Sequence, residues 1–362
     1  MARVTIAGAG MAGLCAAARA RELALEPAVL EKGDRAGGSM LVSSCVIWRY
    51  RSAELFREQC PGGDPVLQRL IVERLDGALD WLERLGAPAV ERATGNPLTV
   101  GRRFDPRGLT EALVRAAGGP RLREPLLRPR ERPLVLATGG APVALARRLG
   151  LLVRSNPWSA GDGHRLAREL GAAFAGDEDE FYGRNMPAPP ARVGEDDFVR
   201  LAQLYGRHAL VVDERGRRFF AGPPSWSETD LVQATARAPG ATAWYVVGEE
   251  ALSQQVRGRT VADMVEAARA AGGTVVPAAE LPFPVPARAR VAVRVKPGVT
   301  HTVGGLRVDT SARVLDAGGV PIPGVYAAGV DAGGIATGGY ASGLAQAVVL
   351  AHAAVEAIAA GG

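Results

Sequence analysis

The apolar positions change period twice within the first stretch of the chain. RVTIAG (3–8) is a short β-branched run, MAGLCAAARARELA (11–24) carries small and apolar side chains in a helical pattern, and PAVLEKG (27–33) returns to a strand. Strand, helix and strand over about thirty residues predict a βαβ unit. Residues 50–118 read as mainly helical. In PVLQRLIVERLDGALDWLERLG, positions Leu67, Leu70, Ile71, Leu75, Leu79 and Leu82 fall at helical spacing, and Gly86 stops the run. RGLTEALVRAAGG (107–119) predicts another helix, and PLVLATGG (133–140) a strand entering a Gly turn.

From Phe174 to Arg290 the pattern breaks up. MPAPPARVG, AGPPS and ELPFPVPARAR interrupt every run, which predicts an inserted α+β domain at 174–290. THTVGGLRVD, GVYAAGVDAGG and GGYASGLAQAVVLA then restore a Gly-punctuated α/β pattern. The expected fold class is therefore α/β, with one domain formed by 1–173 and 291–362 and a second by 174–290.

Composition narrows the function classes. Of 362 residues, 47% are hydrophobic and 22% charged, an ordinary globular balance with room for a large core. The formal net charge is +5, yet Lys32 and Lys296 are the only lysines and the arginines lie among acids without forming runs. That argues against nucleic acid as a partner. Cys15, Cys45 and Cys60 are odd in number and lack metal-ligand spacing, which fits a reducing, cytoplasmic setting and no metal site. The chain begins directly on a strand pattern. GLAQAVVLAHAAVEAIAA is Ala-rich and holds His352 and Glu356, so it reads as a buried amphipathic helix and not a membrane span.

Chemistry enters at GAGMAG. Gly8 permits a tight turn, Gly10 lets backbone approach a pyrophosphate at the helix N-terminus, and Gly13 lets helix and strand pack closely. Glu31 ends the next strand, where an acid accepts hydrogen bonds from ribose hydroxyls. EKGDRAGGSM adds a second Gly turn, LATGG adds Thr138 and Gly139, and GVYAAGVDAGG adds Gly329. Four Gly turns at strand ends suit a long cofactor crossing the sheet edge, which favours FAD over a nicotinamide dinucleotide.

GAGMAG, EKGDRAGGSM, LATGG, AGDGHRLARELGA, THTVGGLRVD, PIPGVYAAGVDAGG and GGYASGLAQAVV occur in the order seen in the fumarate reductase/succinate dehydrogenase flavoprotein family, which this chain resembles over 1–50, 133–175 and 290–362. GGSMLVSSCVIW is similar to the corresponding stretch of the 3-ketosteroid dehydrogenase branch. The resemblance implies a Rossmann-like, glutathione-reductase-like FAD domain interrupted by a capping domain, with substrate between cap and flavin. It implies hydride transfer at flavin N5 and proton transfer at the adjacent carbon, with an electron donor or acceptor left unidentified. Cofactor contacts would fall on Gly8, Gly10, Met11, Ala12, Gly13, Glu31 and Lys32. Further contacts would be Gly38, Ser39, Met40, Thr138, Gly139, Asp162 and Gly329. Ala341 and Ser342 would start a helix whose positive end faces the flavin O2. No His lies in 37–50, so the FAD is expected to be noncovalent.

The chain also departs from that pattern. Val330 stands where the family has a Glu holding the ribityl chain, and Asp331 follows as a possible substitute. A β-meander is replaced by PRLREPLLRPRER. Ala336 takes the place of a substrate-clamping Arg. Eight residues after Arg218, where the dicarboxylate branch has its Arg proton donor, stands Trp226. Neither Ala nor Trp can pair with a carboxylate. His301 matches a family His that touches substrate.

The expected substrate is thus a small molecule that is apolar and not a dicarboxylate, oxidised or reduced at a C–C bond beside a carbonyl. Tyr340 and His301 are the catalytic candidates, and Trp226, Phe220 and Tyr182 the pocket candidates. Each has a packing alternative, and Phe219–Phe220 read equally as a corner of the inserted domain. GDEDE (176–180) reads as a solvated acidic loop. Two other functions remain open: an FAD oxidase or hydroxylating enzyme, and a flavin-binding protein without catalysis.

Overall fold

The computed structural model describes residues 2–126, 128 and 132–361. β1 (Arg3–Ala7), α1 (Met11–Glu22) and β2 (Glu26–Glu31) form the expected βαβ unit. They seed a six-stranded sheet ordered Arg313–Leu315, Pro321–Ala327, Leu134–Leu136, β1, β2, Arg121–Leu122. All neighbours are parallel except the antiparallel edge strand Arg313–Leu315. The strand order reverses at β1, which lies between β2 and Leu134–Leu136. In such sheets the crevice beyond the carboxyl ends at the reversal is where ligands bind.

The helix Pro65–Arg84 carries the predicted stripe: Leu67, Ile71, Leu75, Leu79 and Leu82 are buried. Asp64 caps it by accepting from the backbone N–H of Val66 and Leu67, at 2.8 and 3.2 Å. Gly86 ends it in a left-handed turn. The last helix, Gly343–Gly361, has the length and apolarity of a membrane span, but its residues are mostly buried within the protein and it packs on α1. It is a core helix of this unit.

Residues 50–118 hold more strand than their periodicity suggested. Thr99–Phe104 pairs antiparallel with Val46–Tyr50 and with Ala89–Glu91. The short β-branched and aromatic content of TVGRRF decides its conformation through pairing, which helical periodicity nearby does not report. The stretch 120–132, read as replacing a meander, contributes only the edge strand Arg121–Leu122, and residues 127 and 129–131 lie outside those described.

The chain divides into two compact units. The first comprises 1–144, 155–181 and 301–362, and the second 145–154 and 182–300. The second unit therefore starts at Tyr182 and not at 174, ends at Thr300 and not at 290, and includes 145–154. Pro-rich breaks mark loops inside the unit; two of the four crossings fall within the strands Phe181–Pro187 and Ala289–Thr302, and a third within the helix Pro142–Leu149, whose sequences give no boundary signal.

In the second unit Ala243–Gly248 pairs antiparallel with Ala289–Thr302 and with Leu210–Val212. Its period of two is visible in the packing. Tyr245 and Val247 join a core with Tyr205, Leu231, Val261 and Met264, while Trp244 and Val246 join Val212, Ala278 and Leu281 on the other face.

Candidate functional site: a nucleotide cradle with an aromatic turn beside it

Ala7, Leu136 and Ala327 are register partners at the ends of three adjacent parallel strands. The turns that leave them, Gly8–Gly10, Thr138–Gly140 and Gly329–Asp331, are thereby gathered at one sheet edge. Gly8 takes φ +105°, and a Cβ there would strike the carbonyl oxygen of Ala137. A Cβ on Gly13 would overlap the carbonyl oxygen of Gly8, so helix and turn can touch only through Gly. Gly10 differs: a Cβ there would meet only the Gly38 Cα, at 3.9 Å. The space above Gly10 is kept open by sequence and not filled by protein.

α1 starts at that open space without a side-chain cap and without an acid in its first turn. Its first N–H groups and helix dipole suit an anion there. The Gly37–Ser39 turn lies alongside, with Gly37 N donating to the Ala9 carbonyl at 2.8 Å. Glu31 is buried and ties both pieces together, since its two oxygens accept from Ala9 N at 2.7 Å and Gly33 N at 2.6 Å. Lys32 and Asp162 form an ion pair with each other. Met40 is buried, as are Met11 and Ala12.

Asp331 is fully buried. Its carboxylate accepts from the backbone N–H of Thr138, from the Thr138 hydroxyl at 2.9 Å, and from Gly139 N and Gly140 N at 3.2 and 3.3 Å. The option that Asp331 replaces the ribityl-holding acid is corrected here: the carboxylate points into the protein and organises the Thr138–Gly140 turn. Val330, at the acid's own place, is an aliphatic residue. Gly163 N donates to the Thr138 hydroxyl at 3.1 Å, which joins the helix Asp162–Glu169 to the same knot. Gln346, which the sequence reading missed, donates from Nε2 to the carbonyls of Gly329 and Ala332 at 2.7 and 2.6 Å. A Gln inside an Ala-rich helix was the available signal.

The last helix begins at Gly343, with Ser342 accepting from Ala345 N at 3.3 Å and Ala341 just before it. His301 lies at this helix end: a Cβ on Gly343 would be 3.3 Å from His301 Nε2. His301 Nδ1 donates to the Thr302 carbonyl at 3.1 Å, which assigns the proton of the neutral ring to Nδ1. The ring keeps some exposed surface but is crowded by protein atoms. Burial pushes its pKa down to about 4 against the opposing hydrogen bond, so it is neutral near pH 7.

Tyr340 follows the Gly338–Gly339 turn. Gly339 is required by packing, because a Cβ would strike the Gln59 carbonyl and lie 2.8 Å from Cys60 Sγ. Tyr50 donates its hydroxyl to the Tyr340 carbonyl at 2.7 Å. Trp48 meets Tyr340 edge-on, ring centroids 5.3 Å apart. Trp48 and Tyr50 alternate on the strand Val46–Tyr50, a pairing the sequence reading overlooked. Residues 176–179 are exposed, as expected of a solvated acidic loop, and Glu180 alone departs from it. It is half-buried, accepts from Gly338 N at 2.8 Å, and burial raises its pKa above the ordinary value.

The pocket candidates Trp226, Phe220 and Tyr182 belong to the second unit. Phe219 and Phe220 pack against its main core. Trp226 is half-buried, and its carbonyl accepts from Arg257 at 3.3 Å. FYGRNMP is buried at all seven positions, with Arg184 lying 4.9 Å from the Tyr182 ring centroid and donating to the Ser227 carbonyl. Among the described residues no cluster of His, Cys, Asp and Glu is arranged to hold a metal.

The cradle fits FAD: an uncapped helix end, a Gly whose Cβ direction is open, and an acid at the end of β2. Comparison with known proteins agrees. Residues 3–126 and 126–344 match the FAD-binding domain family. A probable fumarate reductase, Ifc3, of Shewanella frigidimarina (strain NCIMB 400) is 25% identical over 414 aligned residues, covering 90% of this chain and 69% of that one. The open conformation of a flavocytochrome c3 fumarate reductase superposes with TM-score 0.71 at 22% identity, covering 99% of this chain and 78% of that one. The 3-ketosteroid-Δ4-(5α)-dehydrogenase of Rhodococcus jostii RHA1, solved with 4-androstene-3,17-dione, superposes with TM-score 0.70 at 18% identity, covering 99% and 97%. The chain belongs to the FAD-binding domain family and is an FAD-dependent oxidoreductase with the fold of the fumarate reductase and 3-ketosteroid dehydrogenase flavoproteins.

Proposed function

We propose that the protein dehydrogenates or reduces a C–C bond beside a carbonyl in an uncharged, largely apolar substrate. The observation that carries this is the Glu180–Gly338 hydrogen bond, which puts an acid at the Tyr340 turn. Two residues before Gly338 stands buried Ala336, where the dicarboxylate branch of the family has an Arg. A dicarboxylate brought to this turn would meet an acid in place of a guanidinium, and would lack the bidentate pairing that offsets its desolvation. Tyr340, partly exposed and backed by buried Trp48 and Tyr50, offers instead an aromatic ring with a hydroxyl group, suited to an apolar ring bearing a ketone. The shared fold with a chain solved with 4-androstene-3,17-dione is consistent with that class.

Bound FAD supplies the two-electron chemistry, taking or giving the hydride. Tyr340 holds or releases the proton at the neighbouring carbon. Neutral His301 contacts the substrate carbonyl. The helix end at Ser342–Gly343 stabilises negative charge that develops nearby. Binding tests the reading before turnover does. Titrating the oxidised holoenzyme with a cyclic enone should perturb the flavin spectrum saturably, and fumarate at equal concentration should not; a saturable response to fumarate alone would refute it.

A further inference from the structure

Pyrophosphate is recognised by backbone N–H groups, but a purine needs a flat apolar or cationic face. One such face lies beside Glu31. Gly33 does not occupy the left-handed region, so its backbone does not demand Gly. Space does: a Cβ on Gly33 would be 2.8 Å from Trp158 Cε3, 2.9 Å from Trp158 Cδ2 and 3.1 Å from Glu31 Oε1. The indole of Trp158 therefore lies against Gly33, two residues past the acid that ends β2. Arg35 covers the same ring, its Cζ 5.2 Å from the ring centroid. Trp158 remains partly exposed and Arg35 exposed, so this contact is not a core contact.

The loop that carries Trp158 is tied to the cradle. Asn156 N donates to Ser39 Oγ at 3.0 Å, and Asn156 Oδ1 accepts from Trp158 N at 3.2 Å. Ser159 lies against the Thr138–Gly140 turn, since a Cβ on Gly139 would be 2.6 Å from its Oγ. One loop thus touches the Gly37–Ser39 turn, the Thr138–Gly140 turn and the Glu31 end of β2. In a dinucleotide site the ribose of the adenosine half sits at that acid, so a side chain packed on Gly33, whose N–H that acid accepts, is within reach of the adenine.

We propose that Trp158, covered by Arg35, is the adenine-binding wall of the FAD site, and that this pair sets the preference for FAD over FMN. Base–aromatic stacking of ordinary strength corresponds to about tenfold or more in affinity. The test uses the full-length apoprotein titrated with ADP, FAD and FMN by calorimetry, and release of FAD from the holoenzyme followed by flavin fluorescence. W158A should bind ADP and FAD about tenfold more weakly or worse, release FAD faster, and bind FMN as the wild type does. W158F should recover most of the ADP affinity. R35A, at an exposed side chain, should lose about threefold on ADP. ADP binding by W158A within about twofold of wild type overturns the proposal, as does an equal loss for FAD and FMN, which would make Trp158 a folding residue. Should W158A not fold, R35A decides: unchanged ADP affinity overturns it.

Discussion

Asp331 and Thr138 stand on separate strand ends of one sheet, and the buried carboxylate of the first accepts both the backbone N–H and the hydroxyl of the second. The same carboxylate takes the N–H groups of Gly139 and Gly140. A single side chain thereby satisfies every donor of that turn, so its charge fixes the turn's conformation from behind.

Asp331→Asn presents an amide donor to a ring of N–H donors and leaves at least one buried group without a partner. Such a loss costs on the order of 1–3 kcal/mol. We expect the apoprotein midpoint in urea to fall accordingly and FAD to dissociate faster. Equal midpoints for D331N and wild type would remove Asp331 from this role.

Gly10→Ala and Gly13→Ala should behave oppositely. Gly10 has room for a methyl group and φ −79°, so G10A should unfold within about 0.5 kcal/mol of wild type as apoprotein. It should nevertheless purify with little FAD, because the methyl fills the space left for pyrophosphate. G13A puts a Cβ onto the Gly8 carbonyl and should lose the fold. The readouts are the flavin-to-protein absorbance ratio and apoprotein unfolding. FAD binding by G10A at wild-type strength contradicts the cradle.

Acid should weaken the protein through His352. Its ring is buried edge-on to Trp81 at 4.4 Å, Nε2 has no hydrogen-bond partner among the described residues, and burial pushes its pKa from 6.5 down to about 4. Glu356 and Glu22 oppose that shift, while Arg19 and Arg74 add to it. Because the unfolded chain takes the proton first, His352 contributes fully above pH 6.5 and that contribution is lost as pH falls toward about 4. His301 adds a loss over the same range. Unfolding free energy measured against pH should therefore fall across this window, and H352F should reduce the slope. An unchanged slope would assign the acid sensitivity elsewhere.

Tyr340→Phe keeps the ring against Trp48 and the carbonyl bonded by Tyr50. If its hydroxyl moves the proton, kcat should fall about tenfold or more with FAD content unchanged. A kcat equal to wild type removes Tyr340 from proton transfer and leaves it a packing residue.

The geometry of the proposed nucleotide half of the site was legible because its demands are local. Gly8 and Gly13 must be Gly for turn and contact, Gly10 between them has open space at its Cβ direction, and Glu31 follows at the end of the next strand. The proposed catalytic half was not, because it is assembled from distant segments. Trp48 and Tyr50 meet Tyr340 only through the pairing of Val46–Tyr50 with Thr99–Phe104 and the packing of the 338–340 turn on Gln59–Cys60. Glu180 read as a surface acid because neighbouring carboxylates in GDEDE hide the one that turns inward. Asp331 was noticed from a departure in the motif, but only geometry gives the direction of its carboxylate. Trp158 sits in NPWSAGDG, where nothing in the pattern links it to Gly33.

The central claim is that this flavin site handles a C–C bond beside a ketone and not a dicarboxylate. It is tested by mixing oxidised holoenzyme anaerobically with saturated cyclic ketones, a 3-ketosteroid among them, and with succinate, then mixing reduced enzyme with the matching enones and with fumarate, while following flavin absorbance. The account predicts that a ketone bleaches the flavin, or an enone restores its colour, within the time of a catalytic turnover, and that succinate and fumarate do neither. Rapid bleaching by succinate or rapid recovery with fumarate, with every ketone and enone inert, would contradict it.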